Sequence, residues 1–111
     1  MIVYSNGWQE GKNASSSTEC LGFVIGRDLS KLEIFSEVAS GSSIIVHVID
    51  AITSENICQI IVYGDNTVKY SSTTSISNLS NENTLFEINY SLYSGTTGVL
   101  YAIKLHELGE L

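Results

Sequence analysis

Proline is absent from all 111 residues. Sheet edges therefore lack one of their common protections, and charged side chains or self-association must take that role. Basic residues are few. Five Lys and Arg stand against twelve Asp and Glu, for a net charge of −7. Affinity for a phosphate backbone comes largely from Lys and Arg displacing counterions, so nucleic acid is not an expected partner. Anionic membranes are disfavoured for the same reason. Only two cysteines occur, Cys20 and Cys58, too few for the disulfide framework of small secreted domains. Both sit in apolar runs, where a lone cysteine is usually a small buried hydrophobe, so a bond between them is the minority reading. No run approaches the ~18 apolar residues of a transmembrane helix, so no membrane insertion is expected. The opening Met1-Ile2-Val3-Tyr4-Ser5-Asn6-Gly7 lacks the basic and apolar regions of a signal peptide. Ala, Lys and Arg, which fill surface helices, are scarce.

What is present points to strands. Ile, Val, Thr, Ser and Tyr are abundant, and all but Ser favour a pleated, half-buried backbone. The hydrophobic fraction is 43% and the charged fraction 15%, a balance that excludes disorder. The length is that of one domain, spanning 1–111. Period-two alternation is the main signal. Thr84, Phe86, Ile88, Tyr90 and Leu92 form one file, with Glu87, Asn89 and Ser91 between them. Leu32, Ile34 and Val38 alternate with Glu33 and Glu37, and Phe35 is an apolar exception on that polar file. Val99, Tyr101, Ile103 and Leu105 form a third file. Ser43 to Ile49 and Ile57 to Tyr63 are apolar on both faces and rich in β-branched residues, so they read as central strands. Cys20 to Ile25, Val68 to Tyr70, Ser75 to Leu79 and an edge strand at Ile2 to Ser5 complete the set. Asp28 to Lys31 has the composition of a single helical turn. Gly, Asn, Asp and Ser clusters break the runs every 8–12 residues or so, as in sandwiches. The fold class expected is all-β, an antiparallel sandwich of jelly-roll type with about eight strands in two sheets.

Asn6-Gly7-Trp8 near the start and Tyr101-Ala102-Ile103-Lys104-Leu105 in the last strand, with this strand order between them, carry a resemblance. The layout resembles the galactose-binding-like jelly roll of carbohydrate-binding modules, over most of the chain. Modules of this shape also occur in bacteriophage tail and baseplate proteins. The resemblance implies a non-catalytic domain that binds a glycan or cell-wall polysaccharide, in an extracellular or virion-associated setting. In that family the last strand often carries an aspartate that helps hold a structural calcium. Lys104 and His106 stand in that region here, so no cofactor is expected.

Catalytic patterns are missing. No zinc-ligand spacing, nucleophile elbow or phosphate loop occurs. His47 lies within an apolar strand, where a structural role is expected. Glu33, Glu37, Glu87 and Asp50 could face one another as a carboxylate pair, but a solvated outer face is the preferred reading. Binding chemistry is better supplied. Aromatic rings stack on the C–H faces of sugars, and amides or carboxylates bond the hydroxyls. Trp8, the single tryptophan, lies among Asn6, Gln9 and Glu10, and these four are the first candidates for ligand contact. Tyr63 and Tyr93 are added to them, with Tyr70 and Tyr101 as further candidates. Phe35 marks either an exposed sticky face or a subunit contact. The acidic balance favours a neutral glycan. The alternative function is a structural, self-associating virion or fibre-head domain.

Overall fold

The computed structural model describes residues 1–77 and 82–108. The eight strands are β1 (Ile2–Asn13), β2 (Glu19–Gly26), β3 (Leu29–Val38), β4 (Ser43–Asp50), β5 (Asn56–Tyr63), β6 (Val68–Thr73), β7 (Thr84–Ser94) and β8 (Gly98–Glu107). They form two four-stranded antiparallel sheets, β1-β8-β3-β6 and β2-β7-β4-β5. The expected sandwich is therefore the observed architecture. Among the described residues there is no helix.

The core is made where the inward files of the two sheets meet. Leu32, Ile34 and Val38 of β3 face Val46 and Val48 of β4 and Phe86, Ile88 and Tyr90 of β7, all almost fully buried. Burying such side chains stabilises the fold by roughly 1.5–3 kcal/mol apiece. Ser36 continues the inward file of β3, is fully buried, and its hydroxyl has no hydrogen-bond partner. Cys58 is buried and Cys20 exposed, and both are free thiols. Burial pushes the Cys58 thiol up to about 12.

Several expectations change. Asp28 does not start a helical turn: it takes a positive φ of 52° between β2 and β3, a tight reversal rather than a coil of helix. The segment Ile57 to Tyr63 is an edge strand, since β5 ends its sheet, whereas β4 lies between β5 and β7. The strand expected at Ser75 to Leu79 is not formed over 75–77, and the rest of it lies outside the described residues. Cys20 is exposed because β2 is also an edge. In β8 the inward file is Leu100, Ile103 and Leu105, not Val99 and Tyr101. A bulge causes this: Phe35 pairs with Ala102 but Ser36 with Leu100, leaving Tyr101 as an extra residue. One inserted residue reverses which side chains face inward beyond it.

One end of the sandwich is tied together by its turns. The Ser42 hydroxyl accepts from the backbone N–H groups of Thr96 (3.0 Å) and Thr97 (3.2 Å). Ser42 also gives its carbonyl to Gly64 (2.9 Å), and Asn66 accepts from the Ser40 N–H through its side chain (2.9 Å). The β3–β4, β5–β6 and β7–β8 turns are thus bonded to one another.

Candidate functional site

The outer face of the β1-β8-β3-β6 sheet carries a lane of residues aligned across four strands. Tyr70 of β6 pairs with Phe35 of β3, Phe35 with Ala102 of β8, and Ala102 with Gly7 of β1. Paired residues project from the same face. Two aromatic rings therefore stand beside two residues with almost no side chain. The step between them opens a hollow of about 240 Å³, lined by Glu33, Phe35, Tyr70, Ala102, Ile103 and Lys104. The rings of Phe35 and Tyr70 lie 5.2 Å apart and tilted by 55°. Both remain about half exposed, at 46% and 49%. Apolar rings left open to water on a sheet face offer stacking area to a ligand.

The polar side of the hollow is organised around Glu33. Its Oε1 accepts the Tyr70 hydroxyl at 2.6 Å, and its Oε2 contacts His106 Nε2. The Lys31 ammonium lies 3.4 Å from Oε1. The Tyr70 hydroxyl, then His106 and Lys31, hold the carboxyl down to about 2, against the opposing effect of burial. The Tyr70 oxygen and the Glu33 carboxylate raise Lys31 in turn. Glu33 thus stays ionised at any ordinary pH and fixes Tyr70 by its hydroxyl. Lys104 pairs in register with Glu33 across β3 and β8, yet its side chain makes no ion pair among the described residues.

Next along the face, the Tyr101 hydroxyl donates to Glu37 Oε1 at 3.1 Å, and that carboxylate raises the Tyr101 phenol. Gly11 lets β1 pass over this ring. Its φ is +82°, and a Cβ there would lie 2.1 Å from Val99 Cγ1 and 3.0 Å from Tyr101 Cε1.

The six residues singled out from sequence do not gather in one place. Asn6 and Trp8 flank Gly7 on β1, so strand alternation takes both off the outer lane, and Trp8 alone of the two packs inward. Trp8 is half-buried, packed against the core, with the Lys12 ammonium 5.8 Å from its ring centre. Asn6 is exposed and its Oδ1 accepts from the Gly7 N–H at 2.8 Å. Gln9 and Glu10 are exposed in the irregular stretch where the β1–β8 register shifts between Gly7 and Lys12. Tyr63 and Tyr93 belong to the other sheet, on strands that flank β4, and are 66% and 55% exposed. Two strand spacings separate those strands by roughly 10 Å. Tyr93 is the extra residue where the β4–β7 register shifts.

Phe35 was visible in the sequence as a ring on a polar file. Tyr70 was one tyrosine among six. Gly7, Ala102 and Lys104 stood out only in the patterns that carry the family resemblance, and the register is what aligns Gly7 and Ala102 with the rings.

The carboxylates on strands are dispersed. Glu33 and Glu37 share the outer face of β3, whereas Glu87 lies on the other sheet beside Asn89, whose amide it accepts at 2.8 Å. Asp50 caps a turn, accepting from the N–H groups of Ile52 (2.8 Å) and Thr53 (3.1 Å). His47 is held down by desolvation, with Glu87 opposing. A calcium ion needs six to eight oxygen ligands. Among the described residues no three His, Cys, Asp or Glu side chains converge to hold a metal, and Lys104 and His106 lie on the last strand.

No protein-family model matches the chain, and no curated protein matches it in sequence. Solved structures do match it in fold. The carbohydrate-binding module CBM6cm-2 from Cellvibrio mixtus lichenase 5A, in complex with cellotriose, aligns over 98% of this chain and 100% of its own, with a TM-score of 0.59 and 12% identity. Module CBM36, in complex with calcium and xylotriose, aligns over 96% of this chain and 92% of its own, at TM-score 0.54 and 11% identity. Module TmCBM61, in complex with β-1,4-galactotriose, aligns over 95% and 88%, at TM-score 0.54 and 13% identity. The chain shares the β-sandwich fold of carbohydrate-binding modules.

Proposed function

We propose that this chain is a non-catalytic carbohydrate-binding module whose ligand sits on the outer face of the β1-β8-β3-β6 sheet. The observation that carries the reading is the hollow beside Phe35 and Tyr70, two half-exposed rings next to the small side chain of Ala102. A sugar ring stacks its C–H face on such rings. Its hydroxyls reach the Glu33 carboxylate and the Lys104 ammonium at the rim. Gln9 and Glu10, exposed on β1 at the opposite edge of the sheet, extend the contact if the glycan runs across β8. Tyr63 and Tyr93 form a separate patch that a longer glycan or a second chain could use.

The ligand proposed is a glycan that is neutral along most of its length, because a net charge of −7 repels a dense polyanion. The setting proposed is extracellular, as an appendage of an enzyme acting on polysaccharide or of a phage adhesion protein. Modules of this fold with bound oligosaccharides support the glycan class. The non-catalytic reading is supported by the fold likeness to carbohydrate-binding modules, and Glu33, held near 2, does not supply the protonated acid that a glycosidase needs near neutral pH. No calcium is proposed for binding, so EDTA should leave glycan retention unchanged.

Affinity electrophoresis in gels containing different polysaccharides tests the proposal. Retention by at least one glycan is expected, with Tyr70→Ala or Phe35→Ala weakening it about tenfold or more. Trp8→Ala, Tyr63→Ala and Tyr93→Ala serve as comparisons on the other surfaces. Retention that ignores the Phe35 and Tyr70 variants but collapses with one of these three would move the site.

A second reading keeps one observation in its favour. Phe23 and Ile25 project from the edge strand β2 and are 57% and 67% exposed, which suits a subunit contact in a self-associating virion domain. Light scattering at rising concentration separates the two readings, since a persistent monomer removes the second.

A further inference from the structure

Most charges around the hollow are already matched. The Glu33 carboxylate is engaged by Tyr70, His106 and Lys31 together. Glu37, further along β3, accepts the Tyr101 hydroxyl. Phe35, Ala102 and Ile103 bring no charge to the lining. Lys104 is the exception. It is exposed, lines the hollow, and stands opposite Glu33 in the β3–β8 register, with no side-chain partner among the described residues. Lys31 and Lys104 place two of the chain's five basic residues on this one face. Lys31 engages Glu33, so the Lys104 ammonium is the charged group of the lining that no side chain among the described residues engages.

An ammonium offers three donors and no acceptor. A hydroxyl satisfies it, but a carboxylate adds a Coulombic attraction, which is stronger beside apolar rings than in open water. From a distance the chain repels anions, and the hollow attracts one. We infer that the sugar seated beside Phe35 and Tyr70 carries a single carboxylate, bound by Lys104. The ligand class is a mostly neutral glycan bearing sparse uronic acid residues. This rests on the glycan-binding reading above and refines it.

The test compares matched polysaccharides in which only the carboxylate differs. A glucuronoxylan, an arabinogalactan and a xanthan are each used native and after chemical reduction of their carboxylates to primary alcohols, with polygalacturonate as a dense polyanion. Retention of the intact chain is measured by affinity electrophoresis at low salt. At least one native polymer should be held about three- to tenfold more tightly than its reduced form, the scale of one partly shielded ion pair. Lys104→Gln should remove that preference, so that the native polymer is held no better than its reduced form, while leaving the melting temperature in place. Tyr70→Ala should weaken both forms, and polygalacturonate should be held less well than the preferred polymer. Equal retention of native and reduced forms, or a preference that survives Lys104→Gln, overturns the inference while the glycan-binding reading stands. Retention of none of the polymers overturns both.

Discussion

At the scale of single residues, Glu33 carries the most consequence. Its folded pKa of about 2 lies below the ordinary 4.5. A depressed carboxyl contributes stability that is complete above its ordinary value and is lost as pH falls through the folded one. Glu33→Gln should therefore be less stable than the parent near neutral pH, and the gap in melting temperature should close between about pH 5 and pH 2. A gap that stays constant across that window would show that the Tyr70, His106 and Lys31 contacts do not hold the carboxylate. Tyr70→Phe isolates the first of those contacts. It should raise the Glu33 pKa, read by carbon-detected NMR titration, while keeping the ring in place. Ser36 offers the opposite case. Its buried hydroxyl has no partner, so Ser36→Ala should leave stability unchanged or raise it by up to about 1 kcal/mol in a thermal melt. A loss beyond that would mean the hydroxyl has a partner after all. Little of this was readable from the chain alone. Glu33 looked like any charged residue on a solvated face, because its three donors come from β3, β6 and β8 and meet only on folding.

At the scale of elements, the strands were more legible than their pairing. Thr84 to Leu92 alternates so regularly that its inward file, Phe86, Ile88 and Tyr90, followed from the pattern and is buried. In β8 the same reasoning chose the wrong file, since a bulge at Tyr101 has no sequence mark. Asp28 reads as a helix starter by composition, yet here it makes a reversal, with β3 pairing immediately beyond it. β1 pairs with β8, the strand that carries Ala102 and Lys104. Gly11 passes within reach of Val99 and Tyr101 at a positive φ. Gly11→Ala should cost about 1–3 kcal/mol, through backbone strain and displacement of the Val99 side chain. Chemical denaturation measures this, and a variant as stable as the parent would show that β1 can shift without cost. Trp8 belongs to this scale too. Its polar neighbours in sequence made it look exposed, but the ring packs against the core while Asn6, Gln9 and Glu10 stay exposed.

At the scale of the whole molecule, the sandwich offers two outer faces of different character. One bears Phe35, Tyr70, Glu33 and Lys104 around a hollow. The other bears Phe23 and Ile25 on its edge strand, with Tyr63 and Tyr93 towards one end. The all-β class and the two sheets were accessible from composition and period-two patterning, and the likeness to carbohydrate-binding modules from Asn6-Gly7-Trp8, the last-strand pattern and the strand order. Which face binds was not, since it depends on the order β1-β8-β3-β6, which brings residues from both ends of the chain together. Twelve acidic residues against five basic ones give this small body a net charge of −7, which opposes the approach of a dense polyanion.

Amide chemical-shift mapping of the isotope-labelled chain, titrated with a glycan that retains it, tests the placement of the site most directly. The largest changes should fall on the Gly7, Phe35, Tyr70 and Ala102 lane and on Lys104. Changes confined to the opposite sheet, around Tyr63 and Tyr93 or Phe23, with that lane silent, would contradict it.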